Sequence, residues 1–126
     1  MVETGKMDLK AASLRDGERK ALRTFVKRLQ QSFPNKIRQV SLFGSKARGD
    51  SDDDSDVDVL IIVNQKDLAL RRDIIDICSD LSLEYDVLLS PRVIPDERWQ
   101  AIRNFRFYKN VVRDALPILE TENPGF

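Results

Sequence analysis

The chain has 126 residues, of which 41% are hydrophobic and 33% charged, which fits one domain with a modest core. Its 21 basic and 21 acidic residues cancel, which argues against a generally basic surface for binding nucleic acid. The absence of histidine excludes a Ser-His-Asp triad, a His-ligated zinc and a His general base. No run of about 18 apolar residues could span a membrane. The N-terminus lacks the apolar core of a signal peptide, and the single cysteine, Cys78, rules out an internal disulfide, so we expect a cytoplasmic protein.

Apolar spacing predicts alternating helices and strands along the chain. The predicted elements are a helix from about 13 to 33, strands at 36–43 and 57–63, a helix at 68–81, a strand at 83–89 and a helical region at 95–116. Residues 1–12 and 120–126 are predicted to be loose ends. This order predicts a small α/β (α+β) fold, a single domain over 1–126 with a sheet flanked by helices. The sheet could be mixed, because a helix between the second and third strands permits a parallel crossover.

A tight turn and two aspartates lie between the first two predicted strands. Gly44 and Ser45 follow the first strand, and Asp56 and Asp58 lead into the second. Because side chains alternate along a strand, Asp56 and Asp58 point the same way, about 7 Å apart. Two carboxylates on one face are costly to bury without a cation, and Mg²⁺ is commonly held by one or two carboxylates together with substrate phosphates. We therefore predict that both aspartates bind Mg²⁺ and that glycine lets the turn approach the phosphates.

This spacing carries a family resemblance. Gly44-Ser45, ten residues and then Asp56-x-Asp58 resemble the signature of DNA-polymerase-β-type nucleotidyltransferases. The fuller form, GSKARGD followed by SDVD, resembles the minimal nucleotidyltransferases (MNT), the antitoxins of HEPN/MNT toxin–antitoxin pairs. The resemblance implies the polymerase-β-type fold and Mg²⁺-dependent transfer of AMP from ATP to a hydroxyl of a HEPN ribonuclease toxin. Because little chain remains beyond the motif-bearing core, we expect the partner protein to present the acceptor within a hetero-oligomer.

The predicted third strand, 83–89, carries a third carboxylate. If this strand neighbours the second in register, Asp86 joins Asp56 and Asp58 on one face. The resembled family completes its metal site with an acidic residue on a later strand, which implies this role for Asp86, with Glu84 as the runner-up. Such a site could hold two Mg²⁺ ions that clamp the attacking and leaving oxygens.

Four residues at the turn are candidates for binding the nucleotide. Gly44 is assigned to close backbone approach, and the Ser45 hydroxyl to a phosphate oxygen. Arg48 matches the Gly-Ser-x-Ala-Arg-Gly pattern of the resembled family, which implies that it neutralises triphosphate charge. Lys46 is the weaker candidate, because it could equally be exposed to solvent. The neighbouring acids at 52–54 are predicted to be solvated loop residues.

The sequence leaves two other functions open. The protein could mask its toxin by binding alone, without turnover. It could also transfer the nucleotide to a small molecule or an RNA end, although the neutral charge weakens the RNA version. Binding of nucleic acid as a direct partner is therefore not expected.

Overall fold

The computed structural model describes residues 2–3, 12–50, 52 and 54–122. Helices and strands alternate along most of this chain. In order they are β1 (Val2–Glu3), α1 (Asp16–Ser32), β2 (Ile37–Phe43), α2 (Gly44–Arg48), β3 (Val57–Val63), α3 (Leu68–Tyr85), β4 (Leu89–Pro95), α4 (Asp96–Ala101), α5 (Arg106–Asp114) and β5 (Leu116–Glu122). Among the described residues, no helix combines the length and the apolar character that crossing a membrane requires.

The strands form one mixed sheet in the order β1-β5-β2-β3-β4. Strand β2 is antiparallel to both β3 and β5, whereas β3 and β4 are parallel. Helix α3 makes the crossover between the two parallel strands, as such a connection requires. The prediction of a small mixed sheet flanked by helices is therefore confirmed.

Strand β3 is buried on both faces, which explains why its sequence is a continuous apolar run. Val57, Val59, Ile61 and Val63 belong to the larger core, which also contains the apolar faces of α1 and α3. Leu60 and Ile62 point the other way, into a smaller core with Trp99 of α4 and Val111 of α5. Because side chains alternate, Asp58 lies on this second face, at the start of the strand.

The prediction of a strand at 83–89 was wrong. Helix α3 continues to Tyr85 and ends at Asp86, which adopts the left-handed conformation with φ 53°. A left-handed residue directly after a helix is a common way of ending it, and here the Val87 amide donates to the Ser82 carbonyl at 3.0 Å. The next strand, β4, contains Pro91. Since β4 is an edge strand, a missing N–H is tolerated there, so the strand continues through this proline.

The C-terminal region also differs from the prediction. The single helical region at 95–116 is two helices, α4 and α5, and the chain then returns to the sheet as β5. Strand β5 pairs with β2 through a register shift next to Pro117, an irregularity that apolar spacing does not reveal. Val2 and Glu3 pair with the end of β5, so the prediction of loose ends does not hold for these residues. Of the two predicted loose ends, Met1 and residues 4–11 and 123–126 lie outside the described residues.

Candidate active site

The turn after β2 packs directly against an aspartate of β3. Phe43, the last residue of β2, pairs with Asp58 across the antiparallel ladder. Gly44 follows with φ +74°, and a Cβ on it would collide with Asp58 Oδ2 and lie 3.3 Å from Asp58 Cγ. Glycine is required here both by the backbone conformation and by the carboxylate beside it. This contact joins the two halves of the sequence motif into one site.

Electrostatics indicate that the two aspartates would favour a cation. The pKa of the half-buried Asp58 carboxyl is raised because burial removes its hydration and because Asp56 carries a like charge nearby. Arg92 and Arg48 act in the opposite direction and lower it. Asp56 itself is exposed, immediately before β3. A bound divalent ion would relieve the repulsion between the two carboxylates, so the pair fits one Mg²⁺ held together with nucleotide phosphates.

The predicted third carboxylate does not join this pair. The part of the chain that the structure describes contains no cluster of three acidic, cysteine or histidine side chains suited to a metal. Asp86 is exposed at the end of α3 rather than on a strand, and the β4 partner of Asp58 is Ser90. Glu84, the runner-up, is exposed on α3. The described residues therefore fit a single ion and do not fit a two-ion site completed by Asp86.

Lys46 has a structural position that the sequence did not predict. Its side chain is only 1% exposed, and its Nζ lies 3.2 Å from Glu18 Oε1, itself 1% exposed. The same Nζ donates to the Asp52 carbonyl at 3.2 Å. Buried charges are retained in proteins when they are paired in this way. The prediction that Lys46 binds phosphate, and the alternative that it faces solvent, both disagree with this geometry.

Glu18 was missed by the sequence analysis, although a signal for it exists. It lies three and four residues before Ala21 and Leu22, on the buried stripe of α1. A charged residue on such a stripe needs a buried partner of opposite sign. Glu18 also accepts a hydrogen bond of 2.9 Å from the Arg15 amide, so it caps α1 as well as pairing with Lys46.

Arg48 lies at the mouth of a small cavity beside Gly44. Its side chain is 42% exposed, with Nε 3.2 Å from Asp50 Oδ2 and an Nη atom 3.9 Å from Asp114 Oδ2. The cavity measures about 160 Å³ and is lined mainly by Phe43, Gly44, Arg48 and α5 residues. Ligand pockets usually measure about 300 Å³ or more, so this cavity would enclose only part of a nucleotide.

Ser45 lies in the first turn of α2, where its carbonyl accepts the Gly49 and Asp50 amides at 3.0 and 3.2 Å. These bonds close the loop that leads towards the aspartates. The assignment of the Ser45 hydroxyl to a phosphate oxygen stays a prediction.

Arg92 is a candidate that the sequence analysis missed. It pairs with Leu60 on the parallel strand, two residues beyond the Asp58–Ser90 pair and on the same face. Its guanidinium carbon lies 5.2 Å from the centroid of the Phe107 ring, which packs edge-on against Phe43 at 6.1 Å. Arg92 was missed because the strand that carries it was placed six residues too early.

The sequence profile of the nucleotidyltransferase domain family matches residues 22–112. The chain belongs to this nucleotidyltransferase family, and it is a nucleotidyltransferase. One relative from Methanocaldococcus jannaschii is 36% identical over 98 residues, covering 78% of this chain and 94% of the relative. A second relative from the same organism is 46% identical over 105 residues, covering 82% and 91%. Both are provisionally named protein adenylyltransferases.

Solved structures agree with this assignment at the level of the fold. A minimal nucleotidyltransferase superposes with a TM-score of 0.56 at 22% identity, covering 83% of this chain and 98% of that one. A Shewanella oneidensis complex of a tri-AMPylated HEPN toxin with its MNT antitoxin gives a TM-score of 0.50 at 16% identity, covering 82% and 73%. The fold expected from the resemblance to minimal nucleotidyltransferases is thereby confirmed.

Proposed function

We propose that this nucleotidyltransferase transfers AMP from ATP to a hydroxyl group of a HEPN-type toxin protein, and so acts as its antitoxin. The observation that carries the proposal is the packing of Gly44 against Asp58, with Asp56 alongside. Two findings on similar proteins support the acceptor class. The Methanocaldococcus relatives are provisionally named protein adenylyltransferases, and the toxin in the Shewanella complex carries AMP.

The described residues divide the work of such a transfer between them. Asp56 and Asp58 would hold Mg²⁺, which when bound neutralises phosphate charge and orients the triphosphate. Gly44 lets the turn pack against the Asp58 carboxylate, which a side chain would displace. Arg48 supplies positive charge at the adjoining cavity. The acceptor oxygen forms a bond to the α-phosphorus while the bond from that phosphorus to the α–β bridging oxygen breaks. Pyrophosphate leaves with the electron pair, and the hydroxyl proton is released to solvent.

Transfer of label from ATP tests this proposal. The protein, purified with the partner that co-purifies from its native host, is incubated with Mg²⁺ and ATP labelled at the α-phosphate. We expect label on the partner protein, and its loss when Asp56 and Asp58 are both changed to asparagine. Asp54→Asn is the matched control, because Asp54 is an exposed acid of the same loop and should leave transfer unchanged. Labelling that persists in the double variant would refute the proposal.

The second candidate function is masking of the toxin by binding alone. It is favoured by one observation, the lack of a third carboxylate beside Asp56 and Asp58 among the described residues. The same double variant separates the two functions in a growth assay with the toxin co-expressed. Growth that survives the double substitution supports masking, whereas growth arrest supports transfer.

A further inference from the structure

The sequence predicts a site with two Mg²⁺ ions, but the described residues place only two carboxylates there. Positive charge for the phosphates must then come from another group. A triphosphate and two aspartates bring more negative charge than one divalent ion offsets. A second ion would need further oxygen ligands, and the described residues provide no third carboxylate at the pair. A fixed cation of the protein is the remaining way to neutralise the phosphates.

Arg92 lies on β4, the strand next to the one that carries Asp58. Strands β3 and β4 are parallel and in register, so Ser90 is level with Asp58 and Arg92 with Leu60. Directly paired residues of neighbouring strands lie on one face, and Arg92 therefore projects from the face that carries Asp58.

Arg92 lines a neighbouring cavity, which shares Phe107 with the cavity beside Gly44 and Arg48. Phe107 lies under the guanidinium at 5.2 Å and lines the cavity beside Gly44 and Arg48. Stacking on an aromatic face restrains an arginine while leaving its N–H donors available. Among the described residues, Arg92 forms no ion pair within 4.0 Å, unlike Arg48, which is shared between two acids.

We infer that Arg92 binds the phosphates of the nucleotide directly, and that the site works with one divalent ion and this arginine instead of two ions. The inference rests on the proposed ATP-dependent function and names a residue for it. Arginine suits the role because it stays charged and donates two parallel hydrogen bonds to phosphate oxygens. Arg92 would touch the substrate and would not contribute to holding the ion.

Calorimetric titration of ATP in excess Mg²⁺ tests the arginine. Arg92→Gln removes the charge, and Arg92→Lys keeps it but loses the forked geometry. Arg71→Gln is the matched control, since Arg71 is an exposed arginine of α3, the helix that packs on the opposite face of the sheet. We expect Kd to rise about tenfold or more for the glutamine variant, since hydrogen bonds to charged groups are strong. The lysine variant should fall between it and the wild type, and the control should stay within about twofold.

The number of ions is counted separately, by paramagnetic resonance of Mn²⁺ with saturating ATP. One Mn²⁺ per bound ATP is expected, and a second tightly held Mn²⁺ would overturn the inference. A Kd for Arg92→Gln equal to the wild-type value would overturn it too, while leaving the proposed transfer intact. Failure of the wild type to bind ATP with Mg²⁺ would instead reject the proposed function, and the inference with it. Thermal unfolding of each variant distinguishes a lost contact from a lost fold.

Discussion

The buried ion pair between Lys46 and Glu18 gives a sharp prediction about stability. Lys46→Met keeps most of the side-chain volume but leaves the Glu18 carboxylate buried without its ammonium partner. Breaking one side of a buried pair typically costs about 3–5 kcal/mol. Glu18 keeps the Arg15 amide at 2.9 Å and an Arg15 Nη atom at 3.6 Å, so we expect a loss near the lower end, about 3 kcal/mol. Because a domain is stable by about 5–15 kcal/mol, this is a large fraction of the total.

Urea unfolding, followed by the fluorescence of the buried Trp99, measures the effect. Lys20→Met is the matched control, since Lys20 is an exposed lysine of α1 and should change stability by less than about 0.5 kcal/mol. The double variant, Lys46→Met with Glu18→Met, removes both charges and should recover most of the loss. A loss below about 1 kcal/mol for the single variant, or additive losses in the double variant, would show that the pair is not desolvated as the structure indicates.

Three further predictions concern the site itself. Gly44→Ala should destabilise the fold by about 1 kcal/mol or more, because φ is positive and the new Cβ meets Asp58. Gly17→Ala, whose Cβ would make only ordinary van der Waals contacts at 3.4 and 3.8 Å, is the control in the same urea assay, and equal stabilities would contradict the prediction. Without divalent ions, the free energy of unfolding should fall as the pH rises from the unfolded-state pKa of Asp58 through its raised folded-state pKa. Asp58→Asn should abolish that fall, and urea titrations at several pH values check it. Asp86→Asn should leave Mg²⁺-dependent transfer of label within about twofold of wild type, whereas Asp56→Asn should abolish it; a loss in both would restore Asp86 to the site.

The predictable parts of the fold are those in which local pattern and tertiary structure agree. The strand at 57–63 is buried on both faces, and its β-branched run between polar loops specified the bounds that the structure shows. Gly44 and Asp58 could be assigned to one place because a turn follows one strand and the other strand returns beside it. Both residues lie at the same end of two antiparallel strands that are neighbours along the chain, and the order of such neighbouring strands can be predicted from the sequence.

The errors arose where tertiary context overrides local pattern. The segment before Asp86 alternates apolar and polar residues, yet it finishes a helix on which Leu83 is 85% exposed. The edge position of β4 allows it to include Pro91, and a linear sequence does not show which strand is at an edge. Lys46 lies within the Gly-Ser-x-Ala-Arg-Gly motif, so it was predicted to bind the nucleotide phosphates. Its partner Glu18 is 28 residues away, and only the folded structure brings them together.

These two errors lead to one physical picture of the site. The lysine that the motif offered for phosphate is used to fix α2 and the following loop, through Glu18 and the Asp52 carbonyl. The strand that was expected to bring a third acid brings Arg92 instead. The pairing of Lys46 with Glu18 removes one cation from the predicted phosphate site. Arg92 places another on β4, which lies on the other side of β3 from the Gly44 turn. With the inferred role of Arg92, the positive charge for a triphosphate would come from an edge strand, where this side chain is exposed to solvent.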